Sequence, residues 1–216
     1  MARIPLLALI VAMCVFPTLA RAETTVGSSV EWLNCEADVV VVGRVERIVT
    51  TRGPGDVFYD DCTVEVKEII KGKVEDARLV FCLRTLSAKS PAKAWMKSQE
   101  PVLLLLSRSK RHGSEKHLDG MLVPTSHQFP LSVIDLAAPG KYVLDARFKV
   151  LTNQKAILET CRKTAAQLAD HLKRNPGGRV EARQLEAPLS SEAWRSLYAG
   201  SACYVKAPVF VAKGQK

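Results

Sequence analysis

Four groups of side chains in this 216-residue chain have types that could do chemistry. His112, His117 and His127, with Asp119 nearby, offer the imidazole and carboxylate donors that suit zinc or copper. Their spacings match no known metal motif, and all three histidines fall in loop-like stretches. Glu36, Asp38, Asp60 and Asp61 could supply the acid and base carboxylates of a hydrolase, but capping and turn roles account for each equally well. No GxSxG is present for a serine nucleophile. Cys82 stands two residues from Arg84, the only hint of the positive setting that activates a thiol; structural packing explains it as simply. The fourth group is the richest. From residue 84 to 117 run Arg84, Lys89, Lys93, Lys97, Arg108, Lys110, Arg111 and Lys116 against only Glu100 and Glu115, with Trp95 in the middle. Cations with an interleaved aromatic ring suit an acidic polymer, so the expected binding residues are Lys93, Trp95, Lys97, Arg108, Lys110 and Arg111. No metal or cofactor is expected, and no catalytic residue is assigned.

The first residues, MARIPLLALIVAMCVFPTLARAE, combine a positive start at Arg3, an apolar run over 4–16 and the small-residue pattern Ala20-Arg21-Ala22. This predicts a secretory signal over residues 1–22, cut before Glu23, in a protein that is secreted or held in the periplasm or cell envelope. No later segment has the ~20 apolar residues of a membrane span. Of 31 Lys and Arg, Arg3 and Arg21 leave with the signal, so 22 acids face 29 cations, a net charge of +7. An extracytoplasmic partner is then expected to be acidic, a polysaccharide or protein rather than a nucleic acid. Five cysteines survive cleavage, an odd number without any CxxC pair, so neither a redox dithiol nor a zinc ribbon is supported.

The elements that must position these groups start with a short helix over VEWLNCEA, capped by Ser28 or Ser29. A strand over 38–49 follows, and it is apolar on both faces in its first half: Val39, Val41 and Val45 on one, Val40 and Val42 on the other. Gly43 marks a bulge or bend where the pattern changes. A strand with one wet face would alternate, so something must cover the second valine face. Half-buried strands are expected around Cys62, Val64 and Val66 and around Leu79, Phe81 and Leu83, then a helix from Pro91, then the two-faced apolar strand PVLLLLS. The runs MLV and LSVIDL are ambiguous strands. Residues 142–150 alternate as a strand would. The strongest helix follows Thr152 or Asn153, with Ile157, Leu158, Cys161, Ala165, Leu168 and Leu172 at helical spacing and NPGG as its stop. A smaller helix over SSEAWRSLYAG and a terminal strand ACYVKAPVFV, which Pro208 pushes toward a sheet edge, close the chain. A small closed barrel with helices laid over one side explains the valines: one face fills the barrel and the other lies under a helix. The expected organisation is β-rich α+β, with a barrel domain over 23–150 and a C-terminal helix-strand-helix-strand elaboration over 151–216. Cys161 and Cys203, both in that elaboration, are the expected disulfide pair.

The segments NCEADVVVVGRV, TVEVKEIIKGKVEDARLVF and PVLLLLSRS resemble the netrin-like (NTR) domain of tissue inhibitors of metalloproteinases and complement proteins, over about residues 32–107. The resemblance implies an OB barrel flanked by helices. It does not carry inhibition across. The inhibitors chelate zinc through a cysteine at the mature N-terminus within a Cys-x-Cys pair, whereas here Cys35 is internal and no Cys-x-Cys exists. Residues beyond 151 look like a C-terminal region of uncharacterised bacterial secreted proteins. The function expected is a non-catalytic binding module for an acidic extracytoplasmic macromolecule; the alternative is an extracytoplasmic enzyme, hydrolytic or thiol-dependent, with an unrecognised site.

Overall fold

The short strand β1 (Thr25–Ser28) runs directly into helix α1 (Val30–Glu36), which Ser29 caps by accepting the Trp32 N–H at 3.1 Å. The structure is a computed structural model that describes residues 25–86, 90–110, 117–126, 131–139, 143–186 and 203–215. After α1 come the long strands β2 (Val39–Arg52) and β3 (Phe58–Lys71), β4 (Arg78–Thr85), helix α2 (Pro91–Ser98) and β5 (Val102–Arg108). The short strands β6 (Leu122–Pro124) and β7 (Val133–Asp135) precede helix α3 (Gln154–Arg174), and β8 (Arg179–Glu186) and β9 (Cys203–Val211) complete the set. Five strands close in the order β2-β3-β4-β6-β5, with β5 returning to pair antiparallel with β2. One contact is parallel, Phe81 of β4 beside Leu122 of β6.

The two-faced valine run is resolved by two separate cores. Val39, Val41 and Val45 pack inside the barrel with Cys62, Val64, Phe81, Leu104 and Leu106. Val40 and Val42 lie on the outside with Leu103 and Leu105, beneath Val30 and Leu33 of α1 and Ile157, Leu158 and Cys161 of α3. Both helices therefore cover the second face. Gly43 sits at a register shift between β2 and β3, where a Cβ would come within 2.4 Å of Val64 and 2.6 Å of the Glu65 carbonyl oxygen. A side chain there would force the two strands apart.

The pair Lys71-Gly72 also has a structural reason. The Lys71 ammonium donates to the carbonyls of Asn34, Cys35 and Ala37 at 2.7, 2.9 and 2.5 Å, and so satisfies the C-terminal end of α1. Burial lowers the Lys71 pKa, which the nearby Cys35 and Asp38 oppose. Gly72 has φ of 87° and would carry a Cβ only 2.4 Å from the Asp38 carbonyl oxygen.

The C-terminal half departs from the expected pattern in three places. Over its described part, 143–150, the alternation does not form a strand: the Asp145 carboxylate accepts the N–H groups of Arg147 and Lys149 and reverses the chain, leaving one bridge between Leu144 and Val150. Phe148 takes a left-handed φ of 65° to complete that turn. Helix α3 buries Thr164 and His171 along with Ile157, Leu158, Cys161 and Leu168, whereas Leu172 is 45% exposed. The terminal strand β9 is central, between β1 and β8; β1 stops at the Ser28–Lys206 pair, so Pro208 lies where that side of β9 is open. The expected helix over 190–200 and the signal over 1–22 lie outside the described residues.

Candidate functional site

The structure divides the basic residues singled out in the sequence. Ser90 accepts the Ala92 N–H and starts α2, which turns Ala92 and Trp95 into the barrel. Trp95 is only 6% exposed, so the expectation that it presents a flat binding surface is corrected: its ring fills the barrel interior. Lys93 and Lys97 fall on the exposed side of the same helix. Arg108 lies at the far end of the seven-residue strand β5, which spans roughly 20 Å, so Lys97 and Arg108 border opposite ends of it. Lys110 is exposed beside Arg108, and Arg111 lies outside the described residues.

Arg108 and Lys110 belong instead with the outer face of β2, β3 and β4. Residues in register form three rows there: Arg47, Thr63 and Val80; Val49, Asp61 and Cys82; Thr51, Tyr59 and Arg84. Their partners Ile48, Cys62 and Phe81 point inward, so these rows point out. Residues 117–121, in the loop that leads into β6, fold onto this face. Leu118 packs on Tyr59 and Cys82, with Met121 and Val123 beside them, and the His117 ring meets Tyr59 edge-on with centroids 4.8 Å apart. The root of the loop is fixed by Arg108, whose N–H donates to Asp38 at 2.7 Å and whose guanidinium reaches the Gly120 carbonyl at 3.4 Å. What remains open is a strip with Arg47 and Arg84 exposed, Val49 and Val80 at 44% and 49% exposure, and Thr51 and Thr63 between them. The loop root with Arg108 and Lys110 borders it. Arg47, Val49, Thr63 and Val80 were missed in the sequence because they are the wet half of an alternation whose apolar half drew the reading.

The acid and thiol candidates are dispersed. Asp60 and Asp61 are consecutive residues on opposite faces: Asp60 is wholly buried and accepts the Thr50 hydroxyl at 2.6 Å, while Asp61 faces out. Asp38 holds the Arg108 N–H. Cys82 lies buried under the loop, and its thiol is pushed up to about 12, first by burial and then by the Asp61 charge. That is the reverse of an accessible, activated nucleophile. Burial likewise pushes Cys35 up to about 11 even with Lys71 beside it. Cys161 is a free thiol, buried against Asn34, whose side-chain N–H donates to the Cys161 carbonyl at 3.0 Å. The expected Cys161–Cys203 pair is therefore not formed in this structure; the side chain of Cys203 lies outside the described residues. His112 and His127 are also outside them. Among the described residues no three His, Cys, Asp or Glu side chains converge as metal ligands, and no helix is long and apolar enough to cross a membrane.

No family model matches the chain, and no curated protein matches it.

Proposed function

We propose that the barrel is of OB type, with the netrin-like arrangement of flanking helices, and that it serves as an exported, non-catalytic binding module for an acidic macromolecule. The strand order β2-β3-β4-β6-β5 with its single parallel contact, and the helix placed between the third and fourth barrel strands, support the OB reading. OB barrels take oligomeric ligands on the face of their second and third strands, between the loops that join strands one to two and four to five. Here those are β3 and β4, the turn at residues 53–57 and the loop at 109–121. The observation that carries the reading is that the basic end of β5 and residues 117–121 border the same face that exposes Arg47 and Arg84.

Arg47, Arg84, Arg108 and Lys110 contact the acid groups of a linear polymer in this reading, and Val49 and Val80 take its apolar edges. Single exposed charges contribute little, so affinity comes from their sum and falls steeply with salt. Lys93 and Lys97 form a separate basic patch at the other end of β5. The first 22 residues direct export, and mass spectrometry of protein recovered from the cell envelope then finds Glu23 at the N-terminus. The binding test is retention on immobilised heparin, with Arg108→Glu, Lys110→Glu and Arg111→Glu combined. Retention lost at an unchanged melting temperature supports the reading. Unchanged retention refutes it, and shortening of the polymer points to an enzyme instead.

A further inference from the structure

A cleft of about 380 Å³ opens where α3, β9 and the reverse turn at Asp145 meet. None of its lining residues belongs to the β2-β3-β4 face. Glu31, Asp145, Arg147 and Lys163 all line it, yet among the described residues no ion pair joins either acid to either base. The acids are held by hydrogen bonds and not by cations: Glu31 Oε2 accepts the Ala146 N–H at 3.0 Å, with its own backbone N–H and the Ser29 side chain also interacting with the carboxylate, and Asp145 Oδ1 accepts those of Arg147 and Lys149 at 2.8 and 2.9 Å. Burial pushes the Glu31 carboxyl above its ordinary value and the neighbouring Asp145 adds to this, while the opposing influences are hydrogen bonds and include no cation. An incoming cationic group would relieve that repulsion.

The remaining lining is equally suggestive of a ligand. Thr164 is 3% exposed and lines the cleft, where its hydroxyl can donate to or accept from a bound group. Pro208 and Phe210 supply an apolar wall, which the His171 ring backs at 5.3 Å from Phe210. Two carboxylates and two cations that form no ion pair with one another among the described residues, a hydroxyl and an apolar wall within one cleft match a small zwitterion. The volume sits at the lower end of the ~300–1,000 Å³ typical of small-molecule sites.

We propose that this cleft binds a free α-amino acid with an apolar side chain. The ammonium group lies against Glu31 and Asp145, the carboxylate against Arg147, Lys163 and the Thr164 hydroxyl, and the side chain on Pro208 and Phe210. The test is titration of the isotope-labelled mature chain with L-leucine, with 4-methylpentanoate, which lacks the ammonium, and with 3-methylbutylamine, which lacks the carboxylate. The expected result is saturable amide shifts with millimolar L-leucine at residues 145–147, 160–167 and 209–210, and at least tenfold weaker binding of each half-molecule. Thr164→Val and Lys163→Glu are each expected to weaken L-leucine at least threefold. Lys163 is exposed, so K163E keeps the fold and decides the matter should T164V unfold. No saturable shift with L-leucine, a half-molecule binding as tightly as L-leucine, or wild-type affinity in K163E overturns the proposal.

Discussion

Val40 and Val41 are adjacent residues on opposite faces of β2, both at 0% exposure, and their truncation tests the double-core architecture. Val→Ala removes two methyl groups, a transfer loss of about 1.6 kcal/mol at ~0.8 kcal/mol per carbon. If about 40–50 Å³ of the vacated space stays empty, the cavity adds about 1 kcal/mol. Val40→Ala should therefore lose about 2.5 kcal/mol by collapse of packing against Leu33, Ile157 and Leu158, and Val41→Ala about the same within the barrel. Val49→Ala, on the same strand but 44% exposed, should lose less than ~1 kcal/mol. Urea denaturation followed by circular dichroism measures all three, as shifts in midpoint at constant slope. If Val40→Ala matched Val49→Ala while Val41→Ala alone were destabilised, α1 and α3 would not be covering the second valine face, and the argument from sequence to barrel would fail.

Three further outcomes are expected. Lys71→Met strips the α1 carbonyls of a charged donor and should cost about 2–4 kcal/mol, whereas Lys67→Met, at an exposed position on the same strand, should change stability by less than ~0.5 kcal/mol; paired denaturation curves check this. Cys82 has its folded pKa raised from 9.0 to about 12, so its contribution is fully present below pH 9 and is lost as pH climbs toward 12; Cys82→Ala should flatten the fall in stability over that window by ~1.4 kcal/mol per pH unit. Arg162 makes two 2.8 Å hydrogen bonds to Glu68 across α3 and β3, but both side chains are well exposed, so Arg162→Ala should cost no more than ~1 kcal/mol, measured by the same denaturation assay.

The valine run was legible because a two-faced apolar strand has few solutions, and the helix starts at Ser28 or Ser29, at Pro91 and at Thr152 or Asn153 were legible from end chemistry that depends on local sequence alone, with Ser29, Ser90 and Asn153 serving as the caps. What escaped the sequence was set by tertiary contact or by side-chain hydrogen bonds. Thr164 and His171 are polar and were passed over for Ala165 and Leu172, although 157, 161, 164, 168 and 171 make the better helical stripe. Trp95 read as an exposed ring among lysines because nothing local shows that α2 plugs the barrel. The false strand over 142–150 had correct alternation, and Asp145 overrode it. A strand after the long helix was expected from the helix-strand-helix-strand order, but β8 has no buried residue and no apolar alternation to fix its bounds; its pairing with β9 sets them. The strip proposed to bind was half visible: the charges at Arg108 and Lys110 were counted, but the strand face they border exists only once β2, β3 and β4 are in register.

An amide-shift map of isotope-labelled residues 23–216, titrated with a short heparin oligosaccharide at low and at physiological salt, decides where an acidic polymer binds. The account predicts saturable shifts centred on Arg47, Thr63, Val80, Arg84 and the Arg108–Lys110 loop root, weakening steeply as salt rises, with Lys93 and Lys97 affected less. Shifts confined to α2, or none at all at low salt, would contradict it.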